Sequence, residues 1–174
     1  MRDSRPSDQD IQRELLALRD RHRSVLMATV SADGEPEASY APYVLDPDGC
    51  FYVYLSGLAR HGRNLLAQPR ASLLFVEPEE EAPQIFARRR LSYVCRAELV
   101  ERDTPQWRAV LERFEQRFGA VMGVLRGLAD FRLFRLEPQR GSYVRGFGQA
   151  YELEGPGLAR LKAVTAERLG RQAE

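Results

Sequence analysis

Lysine is almost absent from this sequence of 174 residues, because Lys162 is the only one and every other basic residue is arginine. A Schiff-base mechanism needs a lysine amine, and Lys162 lies in a charged, helix-like tail, which argues against such chemistry. Only two cysteines occur, Cys50 and Cys95, and they lack the C-x-x-C spacing of zinc and redox sites. We therefore expect two buried thiols in a reducing compartment. Because His22 and His61 are far apart and no cysteines are paired, we expect no zinc site.

Long hydrophobic runs are also missing. The longest apolar stretches have the length of strands, well short of the ~20 residues that a membrane-spanning helix needs. The N-terminal segment MRDSRPSDQD has no apolar core like that of a secretory signal, so we expect a cytoplasmic protein. The net charge is only +1, which gives no overall attraction to nucleic acid or to an anionic membrane. Any cationic site must therefore be local.

The common catalytic motifs are absent as well. The sequence has no G-x-S-x-G elbow, Walker A loop, H-E-x-x-H helix or early dinucleotide-binding fingerprint. The glycine-rich segment GFGQAY lies late in the chain, and we interpret it as a strand with a bulge or a close backbone contact. A fold poor in nucleophiles can still perform chemistry by holding a cofactor.

The first half of the chain predicts one helix followed by hairpins. Ser7 is a suitable N-cap for an amphipathic helix. Apolar residues then alternate with a period of two, and the Asp33-Gly34 pair and the turn at 47–49 separate three antiparallel strands. A helix from Arg60 ends before Pro69, and the strand ASLLFVE, an acidic loop and the long strand RRLSYVCRAELVER follow it.

Helical periodicity returns from Thr104 and predicts an apolar stripe that faces the core: Trp107, Val110, Leu111, Phe114 and Phe118. Two further strands, FRLFRLEP and GSYVRGFGQAYELE, precede a final helix that should begin near Pro156. About seven strands in a hairpin-rich order predict a mainly β, α+β fold, an antiparallel barrel with flanking helices. We divide the chain into an N-terminal helix (1–22), a barrel domain (23–154) and a C-terminal helix or tail (155–174).

The segment SGLARHGRNL places Arg60, His61 and Arg63 where a strand meets a helix. A helix N-terminus offers unpaired amides, and the arginine fork fits phosphate or carboxylate. Because the helix dipole disfavours cations at this end, a negative group should compensate them. The candidates are the chain's own Glu77 to Glu81, the phosphate of a flavin, or the propionates of haem. The alternative is that these side chains only solvate the end of a helix.

Four segments carry a resemblance to a known family: ATVSADGEPEASYAP, ARHGRNL, ARRRLSYVCRAELVERD and RGFGQAYEL. From about residue 21 to 154 the chain resembles the FMN-binding split barrels of the pyridoxamine 5'-phosphate oxidase-like (PNPOx-like) superfamily, and within it the haem-utilisation proteins of the HutZ/HugZ type. The resemblance implies a split barrel that forms a homodimer with cofactor sites at the subunit interface. It also implies haem binding and oxidative haem breakdown in some members, and FMN binding in others.

The resemblance also implies roles for individual residues. The segment that binds the flavin phosphate corresponds to Ser56, Arg60, His61, Arg63 and Asn64. The strand beside the flavin ring corresponds to Ser39, Tyr40 and Ala41. A basic pair on the following strand corresponds to Arg88 and Arg90. Asp130 matches the acidic residue that supports the iron-ligating histidine of haem-degrading relatives, and it is the candidate catalytic residue. The alternative is that Asp130 is only a solvated cap near the start of a strand.

One feature departs from the family pattern. The haem-degrading relatives carry an iron-ligating histidine near the C-terminus, whereas the segment LKAVTAERLGRQAE contains none. An iron ligand would then be His61, His22, a tyrosine such as Tyr143, or a residue of another subunit. Three hypotheses stay open: a haem-oxygenase-like enzyme, an FMN-dependent oxidoreductase, and a haem or flavin carrier that performs no chemistry.

Overall fold

The computed structural model describes residues 6–164, which form two compact units. The barrel unit comprises Arg23–Leu73 and Val94–Gln139. The flanking unit comprises the described residues 6–22, Leu74–Tyr93 and 140–164. No helix within residues 6–164 is long and apolar enough to cross a membrane.

The described chain contains four α-helices and eight strands. The helices are α1 (Asp8–Asp20), α2 (Arg60–Ala67), α3 (Pro105–Phe118) and α4 (Val121–Gly127). The strands are β1 (Ser24–Val30), β2 (Pro36–Leu45), β3 (Phe51–Ser56), β4 (Arg70–Val76), β5 (Arg90–Val100), β6 (Phe131–Gly146), β7 (Gln149–Glu154) and β8 (Arg160–Ala163). Short 3-10 helices span Glu79–Glu81, Ile85–Ala87 and Pro156–Leu158.

The sheet runs in the order β3-β2-β1-β4-β5-β6-β7-β8, and β3 also pairs with β6. This antiparallel pairing, in which Val53 lies opposite Phe134, closes six strands into a barrel. The β1–β2 hairpin turns at Gly34, whose φ of +88° is the left-handed conformation that glycine adopts without strain. The prediction of an antiparallel split barrel with flanking helices is confirmed.

The core of the barrel unit contains the apolar stripe of α3. Thr104 caps this helix by accepting a hydrogen bond from the Trp107 amide at 3.2 Å. Trp107 and Phe114 are buried against Tyr54, and Phe118 is partly buried against the same cluster. Burial of each large side chain contributes roughly 1.5–3 kcal/mol, so the spacing of this stripe largely explains why α3 packs on the barrel. The predicted core role of the stripe is confirmed.

The flanking unit begins with α1, as the sequence predicts. Ser7 and Asp10 form a capping box in which each side chain accepts a hydrogen bond from the other residue's amide. Ile11, Leu15 and Leu18 form the buried face of the helix. The spacing of these residues therefore specified both the start of α1 and its buried face.

Both cysteines are buried free thiols, as predicted. Burial raises the pKa of Cys95 to about 12, so this thiol stays protonated at neutral pH and is a poor nucleophile. Burial also raises the pKa of Cys50, whose Sγ accepts a hydrogen bond from Arg135 Nη2 at 2.9 Å. Neither thiol is in the ionised form that nucleophilic chemistry requires.

The predicted boundaries of the last strands are wrong. The segments FRLFRLEP and GSYVRG form one continuous strand, β6, and the chain turns instead at Phe147 and Gly148, where Gly148 has a φ of +67°. Pro138 does not break β6, because it follows the residues that pair with β3 and precedes those that pair with β7. The segment GFGQAY, which we interpreted as a strand with a bulge or a close backbone contact, therefore contains a hairpin turn, and the bulge lies between Val144 and Gly146, where the segment begins.

The expected final helix is also wrong over the described residues. A 3-10 turn at Pro156–Leu158 is followed by strand β8, which pairs with β7. The helix prediction failed because Gly155 and Gly157 both adopt positive φ and turn the chain into a hairpin. Residues 165–174 lie outside the described part of the chain.

The sequence also did not predict α4. The division into 1–22, 23–154 and 155–174 stays a prediction.

Candidate cofactor site

The start of α2 is held by a hydrogen-bonded turn that joins it to β3 and to the residue before β6. Ser56, the last residue of β3, donates its hydroxyl to Asp130 Oδ2 at 2.5 Å and accepts from the Leu58 amide at 3.1 Å. The Gly57 amide donates to the Asp130 carbonyl at 2.7 Å. Asp130 therefore holds the turn through both its side chain and its backbone. This pairing across 74 residues of sequence fixes where the helix begins.

Glycine is required at position 62, in the first turn of α2. A Cβ built on Gly62 would lie 2.4 Å from the carbonyl oxygen of Ser56. Only a residue without a side chain lets the helix approach the end of β3 this closely. Gly62 therefore lets the start of α2, with Arg60 and His61, lie close to the end of β3.

The cations of α2 have few partners within the chain. Arg60 is exposed and its Nη1 lies 3.2 Å from Glu37 Oε2. Arg63 is exposed and donates to the backbone carbonyl of Leu58, which carries no charge. No side chain caps the helix, and its first turn holds no acidic residue. Among residues 6–164, Glu37 is the one carboxylate that forms an ion pair with either of these guanidinium groups, so Arg63 and the free amides of the helix start can still bind an anion.

Of the candidate anions, the chain's own Glu77, Glu79 and Glu81 each form an ion pair with an arginine outside α2. Glu77 binds Arg89, and Glu81 binds Arg21. Within α2, Asn64 is buried and donates its Nδ2 to Thr29 Oγ1 at 3.0 Å, so this amide group helps to hold α2 on β1, and a contact of Asn64 with a cofactor stays a prediction.

His61 presents a neutral imidazole at the start of α2. Its ring is half-buried, and burial lowers the pKa of His61 below its ordinary value, with the charge of Glu37 offsetting part of this effect. The ring forms no hydrogen bond with any residue in the described part of the chain. A neutral ring nitrogen is the form of histidine that coordinates a metal ion.

The other two named candidates for an iron ligand are unsuitable. The ring nitrogens of His22 lie 2.7 and 3.1 Å from the carbonyl oxygens of Leu18 and Val76. Tyr143 is completely buried, and burial raises the pKa of its hydroxyl to about 12, which disfavours the phenolate that would bind iron. Among residues 6–164, no group of three or more histidine, cysteine or acidic side chains is arranged to hold a metal ion.

The β2 candidates divide between core and surface. Ala41 is fully buried, and Ser39 donates its hydroxyl to the Met27 carbonyl at 3.2 Å. Tyr40 is 66% exposed and lies opposite Leu26 of β1. Of the three residues, Tyr40 is the one whose side chain is largely available to a ligand or to a second subunit.

Arg88 and Arg90 belong to the flanking unit. Arg88 donates its Nε to the Glu77 carbonyl at 2.9 Å and its Nη1 to Glu79 at 2.9 Å, so most of its fork is used within the chain. Arg90 is exposed and lines a cavity of about 360 Å³ together with Phe86 and Phe147. That Arg88 and Arg90 converge on the start of α2 stays a prediction.

The sequence reasoning missed Phe86 and Phe147, which are 82% and 69% exposed. The signal for Phe147 was its place between two glycines, since a hairpin turn at G-F-G presents the middle side chain to solvent. Phe86 lies in a 3-10 helix after the acidic loop and gave no comparable signal.

Comparison with known proteins relates the chain to one family. A model of the pyridoxamine 5'-phosphate oxidase family matches residues 11–145. The sequence is 43% identical over 145 residues to the heme oxygenase HutZ of Vibrio cholerae, a match that covers 83% of this chain and 82% of that protein.

Two solved structures show the same fold at substantial sequence identity. The crystal structure of V. cholerae HutZ, described as a heme storage protein, matches with a TM-score of 0.69 and 41% identity over 74% of this chain and 89% of that one. The structure of Campylobacter jejuni ChuZ matches with a TM-score of 0.82 and 32% identity over 95% of this chain and 66% of that one.

Proposed function

This chain belongs to the pyridoxamine 5'-phosphate oxidase family, and from that premise we propose that it is a haem-utilisation protein that binds haem at the interface of a cytoplasmic homodimer and degrades it oxidatively. The observation that carries the proposal is the 43% identity to a protein named as a heme oxygenase across 83% of the chain. Haem, when bound, supplies the redox-active iron at which oxygen chemistry takes place.

The residues at the start of α2 fit such a group. The half-buried ring of His61 is neutral and has no hydrogen-bond partner among the described residues, so it offers a nitrogen ligand to iron. Arg60 and Arg63 carry the positive charge that haem carboxylates need, and Glu37 compensates only one of them. We assign iron binding to His61 and carboxylate binding to the two arginines.

Asp130 has a different role in this proposal from the one that the resemblance implied. Its carboxylate accepts the Ser56 hydroxyl, and its carbonyl accepts the Gly57 amide. We infer that Asp130 is a positioning residue that sets the start of α2, and that it acts on the cofactor through the placement of His61. Replacing Asp130 with Asn should then lower both stability and haem affinity, without a change in the Soret position of the residual complex.

Haem titration followed by the Soret band tests the assignment. We expect His61→Ala to shift the Soret maximum and weaken binding, because the iron loses its nitrogen ligand. The double variant Arg60→Ala/Arg63→Ala should weaken binding by about 1.5–3 kcal/mol for each charge-assisted hydrogen bond lost, with the Soret position kept. Arg70→Ala, an exposed arginine outside the site, is the control and should bind as the wild type does.

Unchanged Soret spectra and haem affinities in the His61 and arginine variants would refute the site.

The oxidative chemistry is tested in a separate experiment. Loss of the Soret band with iron release when ascorbate is supplied as the electron donor identifies an enzyme, whereas a stable Soret band under the same conditions identifies a haem carrier.

FMN is the second candidate cofactor. The first turn of α2 has no capping side chain and no acidic residue, and it lies beside two arginines, which suits a phosphate group. If the protein is an FMN-dependent oxidoreductase or a flavin carrier, the purified protein should be yellow with a flavin spectrum. Arg60→Ala/Arg63→Ala should then release the flavin, and haem titration should give no saturable Soret band.

A further inference from the structure

We propose that a cavity of about 590 Å³ in the barrel unit binds a small oxyanion that carries several negative charges, such as a diphosphate or a polycarboxylate. This Trp107 cavity is lined by Arg102, Asp103, Trp107, Arg108, Glu112 and Arg126. It shares no residue with the cofactor site at the start of α2, and the proposal does not depend on the proposed function.

Two guanidinium groups are held against one indole ring in this cavity. The Cζ atoms of Arg102 and Arg126 lie 5.6 and 5.8 Å from the ring centroid of Trp107. Arg102 Nη2 also donates to the backbone carbonyls of Arg126 and Leu128, at 2.8 and 2.9 Å. The end of α4 and the buried tryptophan therefore hold two like charges in place before any ligand arrives.

These arginines have hydrogen-bonding capacity that the described chain does not use. Arg126 Nε is removed from solvent and has no hydrogen-bond partner among residues 6–164. Its Nη1 is 3.7 Å from Glu115 Oε2, which is longer than a hydrogen bond. Arg108 is exposed on α3, and its side chain makes no hydrogen bond or ion pair with a described residue. The donors of the exposed Arg108 guanidinium group are therefore available to an acceptor inside the cavity.

The charges of the cavity favour an anion over a cation. Three guanidinium groups line it against the two carboxylates of Asp103 and Glu112, and Glu115, which lies outside the lining, forms an ion pair with Arg126. The planar guanidinium group of arginine matches the paired oxygens of phosphate and carboxylate groups. Three guanidinium groups can bind more than one such anionic group, so we expect a ligand that carries at least two.

Fluorescence gives a direct test, because Trp107 is the only tryptophan of the sequence. Inorganic diphosphate and citrate are titrated separately into the protein at low ionic strength. We expect a saturable change in tryptophan emission, and the tighter of the two ligands identifies whether the site prefers phosphate or carboxylate oxygens. Arg108→Gln and Arg126→Gln should each weaken the tighter ligand about tenfold or more, as expected for the loss of a charge-assisted hydrogen bond.

Matched variants separate this site from the rest of the surface. Arg70→Gln should bind as the wild type does. Arg60→Ala/Arg63→Ala should keep the fluorescence response, because Arg60 and Arg63 belong to the cofactor site at the start of α2 and do not line the Trp107 cavity. Arg108 is exposed, so Arg108→Gln should fold normally and tests the site even if Arg126→Gln lowers stability. The absence of a saturable response, or equal affinity in the wild type and Arg108→Gln, would overturn the proposal.

Discussion

Glu77 is a carboxylate that is only 2% exposed, and its burial depends on one arginine. Its Oε1 accepts from Arg89 Nε at 2.8 Å and its Oε2 accepts from the Arg89 amide at 3.2 Å. The Glu77 amide donates in turn to the Arg89 carbonyl at 2.9 Å. The hydrogen bonds from the Arg89 side chain are the largest cause of a lowered pKa of Glu77.

This lowered pKa predicts a specific pH dependence of stability. Because the folded pKa lies below the unfolded value of about 4.3, the charged pair contributes its full stability above that pH and loses it as the pH falls through the folded pKa. We expect Glu77→Gln to lower the free energy of unfolding by about 1–3 kcal/mol at pH 7. We also expect it to flatten the loss of stability on acidification, as measured by urea unfolding from pH 7 to pH 3.

Glu79→Gln is the matched control. Glu79 pairs with Arg88 but is largely exposed, and an exposed ion pair contributes about 0–1 kcal/mol. If Glu77→Gln and the wild type lose stability in parallel as the pH falls, the assignment of this pH dependence to Glu77 is wrong.

At the scale of single elements, the position of α2 depends on its close approach to the end of β3. We expect Gly62→Ala to destabilise the protein by about 1–3 kcal/mol, because the new methyl group would lie 2.4 Å from the Ser56 carbonyl and the helix would have to move. The displaced helix should also weaken haem binding. Urea unfolding and Soret titration measure the two effects.

Gly123 in α4 supplies the control for this substitution. Both glycines are helical, but a Cβ at Gly123 would meet nothing within 4 Å. Gly123→Ala should therefore be neutral or stabilising by up to about 1 kcal/mol, since alanine favours the helix. Equal effects of the two substitutions would show that contact with Ser56 does not limit the position of α2.

The whole molecule is proposed to be a dimer, and its exposed apolar side chains indicate where the subunits meet. Leu26 and Tyr40 are cross-strand partners on β1 and β2, and they are 48% and 66% exposed. Val94 of β5 is also exposed in the barrel unit. Clusters of exposed apolar side chains on strands are typical of surfaces that another subunit covers.

We expect Tyr40→Glu to convert the dimer to a monomer, because two-fold symmetry places the new charge twice in one interface. Sedimentation equilibrium at low micromolar concentration measures this change, and haem affinity should fall with it if the cofactor lies between subunits. Val124→Glu, at an exposed apolar position of α4, should leave the assembly unchanged. A wild-type protein that is monomeric at this concentration would contradict the inferred assembly.

The sequence by itself determined those features that depend on neighbouring residues. Helix caps at Ser7 and Thr104, the hairpin at Gly34 and the core stripe of α3 follow from spacing and turn chemistry, which act over a few residues. The motif ARHGRNL likewise predicts the candidate site, because the start of a helix and its charges are contiguous in the chain.

Only the tertiary structure decided which groups face one another. The pairing of Ser56 with Asp130, of Arg60 with Glu37 and of Glu77 with Arg89 depends on strand register and turn geometry that no local pattern encodes. The Trp107 cavity likewise arises where α3, α4 and the loop before α3 meet. An arginine-rich sequence allows many ion pairs, and the packing of the backbone selects among them.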